Sequence, residues 1–146
     1  MKIMIKSLSS VVFLSLLIVT VSFANAEEKV PFFYNITTDD SWTAGMAAGH
    51  ANNAADRGHS VTVFLNVRGV HIADKKTVQG TFGPTGKTPA QLLQSLIKKG
   101  HAVLVCGTCM KVAGVTENDL MAGAKVSTPD LTFGALTEKD TIVLSY

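Results

Sequence analysis

Short apolar segments alternate with polar turns and helical stretches along most of this chain. Five of them read as strands, and the clearest are rich in β-branched or aromatic residues, as strands buried in a parallel sheet often are. The predicted strands cover residues 30–36, 61–67, 102–105, 124–127 and 141–144.

Helices are predicted between these strands from apolar spacing and from residues that begin and end helices. In one of them, Thr88 provides the cap and Pro89 the first position, leucines recur at helical spacing, and Gly100 ends it. The predicted helices cover residues 42–56, 88–99 and 106–113, a stretch beginning at 116, and 128–138. Residues 68–87 are predicted as a loop long enough to suggest function.

This alternation predicts one α/β domain with a largely parallel five-stranded sheet and helices on both faces. In open α/β sheets, ligands bind beyond the carboxyl ends of the strands. His59 and His101 begin strands and are therefore expected at the opposite edge. The loops expected at the functional edge are 37–41, 68–73, 106–109 and 127–130.

The first residues have the features of a cleaved signal peptide. Lys2 and Lys6 precede an apolar run over 11–21, and Ala24-Asn25-Ala26 supplies a small-x-small cleavage pattern. The run is shorter than the roughly 20 apolar residues of a membrane span, so no stable membrane anchor is expected. We expect a signal peptide over 1–26, a mature domain over 27–146, and a periplasmic or secreted protein.

Charge and cysteine content narrow the function classes. The formal net charge is +2, and removing Lys2 and Lys6 balances the two signs. A nucleic-acid or anionic-membrane partner would require a basic face, so neither is expected. Two cysteines are too few for a disulfide framework, and in an oxidising compartment a close pair favours redox or sulfur chemistry.

The Cys106-Gly107-Thr108-Cys109 segment lies where a predicted strand becomes a helix. Unpaired N–H groups at a helix start favour a thiolate at Cys106, which could attack a sulfane sulfur and hold it as a persulfide. Gly107 permits a tight turn, and Cys109, one helical turn later, could resolve the adduct or close a disulfide. The alternative is that Cys106 is simply a small buried residue that completes an apolar strand.

Other sites are less well supported by the spacing of residues. A metal site requires about four ligands, and the four histidines are scattered, so neither a metal nor another cofactor is expected. A thioredoxin-like oxidoreductase is disfavoured because the cysteine pair follows the third strand and Pro129 reads as a helix-initiating residue. His71 is a candidate proton partner for a thiol, Asp39 a candidate supporting residue, and Trp42 a core or subunit-interface residue.

Three segments resemble the DsrE/DsrF-like family of sulfur-relay proteins: residues 58–65 (GHSVTVFL), 68–73 (RGVHIA) and 105–115 (VCGTCMKVAGV), and the ending over 133–146 fits as well. The resemblance implies a flavodoxin-like three-layer α/β sandwich that assembles as trimers, hexamers or heteromers. It also implies sulfur acceptance on a cysteine that follows the central strand. Cys106 matches that position, and Cys109 matches a second cysteine found in some members.

Together these observations predict a periplasmic sulfur carrier, or sulfurtransferase-like protein, with Cys106 and Cys109 as reactive residues. Gly107, Thr108, His71 and Asp39 are expected to support them. The expected partners are a sulfur donor or acceptor protein, or a small sulfur compound, together with further copies of the chain. Whether the chain is an enzyme stays open, and two alternatives remain: a thiol–disulfide redox protein, and a non-enzymatic oligomeric module that binds a small ligand.

Overall fold

A five-stranded parallel sheet forms the centre of the computed structural model, which describes residues 28–146. The predicted signal peptide over 1–26 lies outside the described residues. The strands are β1 (Phe32–Ile36), β2 (Val61–Leu65), β3 (Ala102–Cys106), β4 (Lys125–Ser127) and β5 (Ile142–Ser145). Their order is β4-β3-β2-β1-β5, and every neighbouring pair is parallel, which confirms the predicted α/β fold.

Five helices connect the strands: α1 (Ser41–Asp56), α2 (Val70–Ala73), α3 (Pro89–Lys98), α4 (Gly107–Ala113) and α5 (Pro129–Leu136). Asp40 caps α1 by accepting a hydrogen bond from the Thr43 N–H, and Thr88 forms a capping box with Gln91 at α3. These ends were predictable because a cap depends on residues that are adjacent in sequence.

Two predicted elements differ in the structure. The loop predicted over 68–87 begins with a 3₁₀ turn (Val67–Gly69) followed at once by α2, so its first part is ordered structure above the sheet edge. The helix predicted to start at Thr116 is only a 3₁₀ turn (Glu117–Asp119). The Thr116 and Asp119 side chains close a capping box around it, and the chain then extends towards β4.

The main core lies between the sheet and the pair α1 and α3. Alternate residues of the strands face these helices, and α1 meets them with a row of buried alanines that allows close approach. The crossover from β4 to β5 runs from one edge strand to the other, so the right-handed rule places α5 on the opposite face. There Phe64 of the sheet and Phe133 of α5 line a common cleft.

The second face of the sheet is thinly covered in a single chain. No residue of α5 is buried, and several large apolar side chains on α5 and β5 are exposed: Leu131, Phe133, Ile142 and Val143. Within residues 28–146, none of the helices combines the length and apolar character that a membrane crossing requires.

Candidate functional site

Cys106 lies where β3 ends and α4 begins. It is the last residue of the strand and the N-cap of the helix, and its Sγ accepts a hydrogen bond from the Cys109 N–H at 3.3 Å. Both thiols are free and half-buried. A Cβ at Gly107 would lie 3.1 Å from Cγ1 of Val126 on the neighbouring strand, a tight contact that glycine avoids. The turn therefore holds the Cys106 sulfur close to both α4 and β4.

A cleft of about 450 Å³ opens beside Cys106, between α4 and the start of α5. We call it the Cys106 cleft. Its polar side chains are one amine and four hydroxyls, and the hydroxyls of Ser127 and Thr132 hydrogen-bond each other. Among residues 28–146, Lys111 forms no ion pair. The polar lining consists of Thr108, Lys111, Ser127, Thr128 and Thr132, and the apolar lining includes Phe64, Val126, Pro129 and Phe133.

Cys109 opens on a different cavity, of about 440 Å³, which we call the Cys109 pocket. Its other lining residues are Val67, Arg68, His71, Thr108, Val112 and Ala113. Val67 is 60% exposed and Val112 is 87% exposed, so both valines stand at the surface around the thiol. Thr108 lines both this pocket and the Cys106 cleft.

Opposing effects act on the Cys109 thiol. Burial raises the pKa of Cys109, and the adjacent Cys106 sulfur raises it further through a hydrogen bond and its charge. A hydrogen bond from the Val67 backbone lowers the pKa of Cys109. Val67 has φ of +48°, a left-handed conformation that is unfavourable for a β-branched residue. The strained Val67 thus holds its N–H towards the Cys109 sulfur.

Arg68 and Asp39 form a bidentate ion pair at the mouth of the Cys109 pocket. Arg68 Nε donates to Asp39 Oδ1 at 3.0 Å, and Nη2 donates to Oδ2 at 2.7 Å. The guanidinium holds the pKa of Asp39 below its usual range, and His71 adds to that effect. Of the predicted supporting residues, Asp39 and His71 therefore lie with Cys109 and not with Cys106, whereas Gly107 and Thr108 adjoin the Cys106 cleft.

Asn66 and Trp42 also follow strands at this edge of the sheet. Asn66 donates from Nδ2 to the Asn35 Oδ1 at 2.9 Å and so links β2 to β1. Trp42 is 75% exposed, which makes a core position wrong. It lies in the first turn of α1, whose sheet-facing positions belong to the buried alanines. Within residues 28–146, no three His, Cys, Asp or Glu side chains are grouped to hold a metal ion.

Sequence reasoning missed Lys111, Val112 and Val67 as site residues. Helical spacing was an available indication for the first two, since residues three and four apart share a helix face. That rule places Lys111 with Thr108, and Val112 with Cys109. The residue type of Val67 does not indicate that its backbone bonds to Cys109, and Val67 was predicted to lie in a strand.

Comparisons with known proteins agree with this architecture. The model of the DsrE/DsrF-like family matches residues 29–144. An uncharacterised protein of Methanocaldococcus jannaschii is 35% identical over 102 residues, which cover 68% of this chain and 84% of that protein.

Two solved structures are similar in fold. The crystal structure of the ychN protein from E. coli superposes with a TM-score of 0.66 at 19% identity, covering 82% of this chain and 99% of that one. A protein of unknown function from Methanobacterium thermoautotrophicum gives a TM-score of 0.58 at 14% identity, covering 82% of this chain and 100% of the other. At these identities the likeness concerns the fold alone.

Proposed function

The chain belongs to the DsrE/DsrF-like family, and on that premise we propose that it is a sulfur carrier that accepts sulfane sulfur as a persulfide on Cys106. The observation that carries the proposal is the position of Cys106. Its sulfur lies at the carboxyl end of an interior strand, borders a cleft with one amine and several hydroxyls among apolar side chains, and accepts a backbone hydrogen bond. A purely structural cysteine would require neither the cleft nor the backbone donor.

The chemistry needs only groups that border the cleft and a donor with a sulfane sulfur. The Cys106 thiolate attacks that sulfur and forms a new S–S bond. The bond between the sulfane sulfur and its former carrier breaks, and the carrier leaves with the electron pair, as sulfite from thiosulfate or as a thiolate from an organic persulfide. The Lys111 ammonium lines the cleft and supports an anionic donor through its charge.

Cys109 is proposed as the second thiol of the relay. Its backbone N–H donates to the Cys106 Sγ at 3.3 Å, and the two thiols lie one helical turn apart. His71 lines its pocket and is the proposed proton partner of the thiol. Asp39 holds Arg68 beside it.

A second candidate function is thiol–disulfide exchange by the same pair. Both thiols are free, lie one helical turn apart, and are joined by the Cys109 N–H to Cys106 Sγ hydrogen bond. That arrangement suits a dithiol–disulfide couple. It predicts a measurable reduction potential with no transfer of sulfane sulfur.

Location and assembly are also proposed. The pattern of residues 1–26 supports export to the periplasm, where the donor and acceptor are sulfur compounds or proteins of that compartment. Exposed apolar side chains on α5 and β5, among them Phe133 and Val143, support a homo-oligomer that covers the second face of the sheet.

Mass spectrometry tests the proposal directly. After reduction and incubation with thiosulfate or polysulfide, the wild-type domain is expected to gain roughly 32 Da per added sulfur. Cys106→Ser should gain none, and Cys109→Ser, the matched control, should still gain it. A reduced wild-type protein that takes up no sulfur, or a Cys106→Ser variant that takes it up as well as wild type, would refute the proposal.

A further inference from the structure

The two thiols of this short motif open on cavities of different chemical character. We propose that the Cys109 pocket is a second binding site, separate from the Cys106 cleft, for a compact apolar organosulfur compound, a thiol or its persulfide. In the relay, which rests on the proposed function, sulfur enters at Cys106 from an anionic donor and leaves at Cys109 to this thiol.

The Cys106 cleft has the composition expected for an anionic occupant. Lys111 supplies a positive charge that no acidic side chain of the described chain neutralises by an ion pair. The Ser127, Thr128 and Thr132 hydroxyls line the same cleft and hydrogen-bond to one another or to backbone groups at the start of α5. Thiosulfate and persulfide anions match the positive charge of this amine.

The Cys109 pocket has fewer polar side chains, and Thr108 is the hydroxyl that the two cavities share. Val67, Val112 and Ala113 form its walls, and the Arg68 guanidinium is already bound at both Nε and Nη2 by Asp39. His71 is the remaining titratable group that lines it besides Cys109. Its volume falls in the range of small-ligand sites, which combine apolar walls with a few polar groups. Val67 and Val112 are exposed beside the thiol, so an apolar ligand would bury their side chains and is favoured over an ion.

Transfer between the two sites conserves atoms and electrons. The Cys109 thiolate attacks the outer sulfur of the Cys106 persulfide, an S–S bond forms at Cys109, and Cys106 leaves as a thiolate. A thiolate bound in the Cys109 pocket then attacks the outer sulfur of the Cys109 persulfide. The products are the ligand persulfide and the Cys109 thiolate, so the relay requires no external oxidant or reductant.

Single-cysteine variants test the pocket without any sulfur loading. Cys106→Ser leaves only Cys109, and Cys109→Ser leaves only Cys106. Each variant is treated with methanethiosulfonates that carry a benzyl, a sulfonatoethyl or a trimethylammonioethyl group. Each reaction forms a mixed disulfide and releases methanesulfinate, and each rate constant is divided by that of the same variant unfolded in denaturant.

We expect Cys109 to react about tenfold faster with the benzyl reagent than with either charged reagent, as burial of part of an aromatic ring predicts. Cys106 should prefer the sulfonate over the trimethylammonium reagent. Val112→Lys, at an exposed helix position, should abolish the benzyl preference of Cys109 and leave the reactivity of Cys106 unchanged. Lys111→Gln should remove the anion preference of Cys106 alone.

Two results would overturn the assignment of the Cys109 pocket. One is that the three reagents rank in the same order of rate constant at both thiols. The other is that folded Val112→Lys keeps the benzyl preference of Cys109. The result is independent of the sulfur-loading experiment. If the benzyl preference is present but wild type takes up no sulfur, the sulfur-carrier function is wrong and the apolar site stands. If sulfur loads on Cys106 without a benzyl preference at Cys109, the carrier stands and the second site is wrong.

Discussion

Gly69 offers a quantitative test of how the site is held to the sheet. This residue ends the 3₁₀ turn that carries Val67 and Arg68, and it is buried against the end of β1. A Cβ added there would lie 2.3 Å from the carbonyl oxygen of Ile36 and 3.0 Å from its carbonyl carbon. Ile36 is fully buried in the sheet, so the turn must move when Gly69 is replaced by alanine.

The size of the effect follows from that overlap. Restoring an ordinary contact needs a displacement of about 1 Å. Such a shift weakens the hydrogen bonds by which the Arg68 and Gly69 N–H groups hold the Thr37 carbonyl, at 3.1 and 3.2 Å. Overpacking costs about 1–3 kcal/mol, and each weakened hydrogen bond adds up to roughly 1 kcal/mol. Alanine also restricts the unfolded chain more than glycine does, which raises the free energy of unfolding by up to about 1 kcal/mol.

We therefore expect Gly69→Ala to lower the free energy of unfolding by about 2–4 kcal/mol, which lowers Tm by roughly 8–16 °C. Gly49→Ala is the matched control, because a Cβ at this position in α1 meets nothing within 4 Å. Helix propensity should make it more stable by about 0.5–1 kcal/mol. Urea and thermal unfolding followed by circular dichroism measure both. A Gly69→Ala variant as stable as wild type would refute the reasoning.

Two further predictions concern strain and charge. Val67→Gly should leave the free energy of unfolding unchanged or raise it by up to about 1 kcal/mol. Glycine adopts the positive φ of this exposed position freely, and the relieved strain offsets the added entropy of the unfolded chain. A clear loss of stability in urea unfolding would contradict this. Asp119 accepts hydrogen bonds from the Thr116 N–H and hydroxyl and pairs with Lys76 at 2.6 Å, which lowers the pKa of Asp119. Its contribution to stability is therefore present above the unfolded pKa of roughly 4 and is lost as pH falls below that value. Unfolding midpoints of Asp119→Asn should lie below those of wild type at neutral pH and converge with them in acid, and a constant gap at every pH would exclude this explanation.

The parts of the fold that could be predicted are those that depend on residues close together in the sequence. Gly114, predicted to end the helix after the cysteines, has φ of +69°, which the sequence indicates because glycine tolerates it. The short helix α2 could not be predicted, since the turn before it is held by contacts with the Thr37 carbonyl, far away in the sequence. A core position for Trp42 was wrong because burial depends on which side of α1 faces the sheet, and a subunit-interface position stays a prediction.

The sequence by itself determined the alternation of strands and helices, the helix caps, and the place of Cys106 at the carboxyl edge of the sheet. These properties follow from periodicity and from neighbours in the chain. Only the tertiary structure decided that Cys106 and Cys109 open on different cavities, and that Asp39 and His71 lie with Cys109. The walls of both cavities come from segments such as 67–71 and 127–133, and their packing brings them to the thiols.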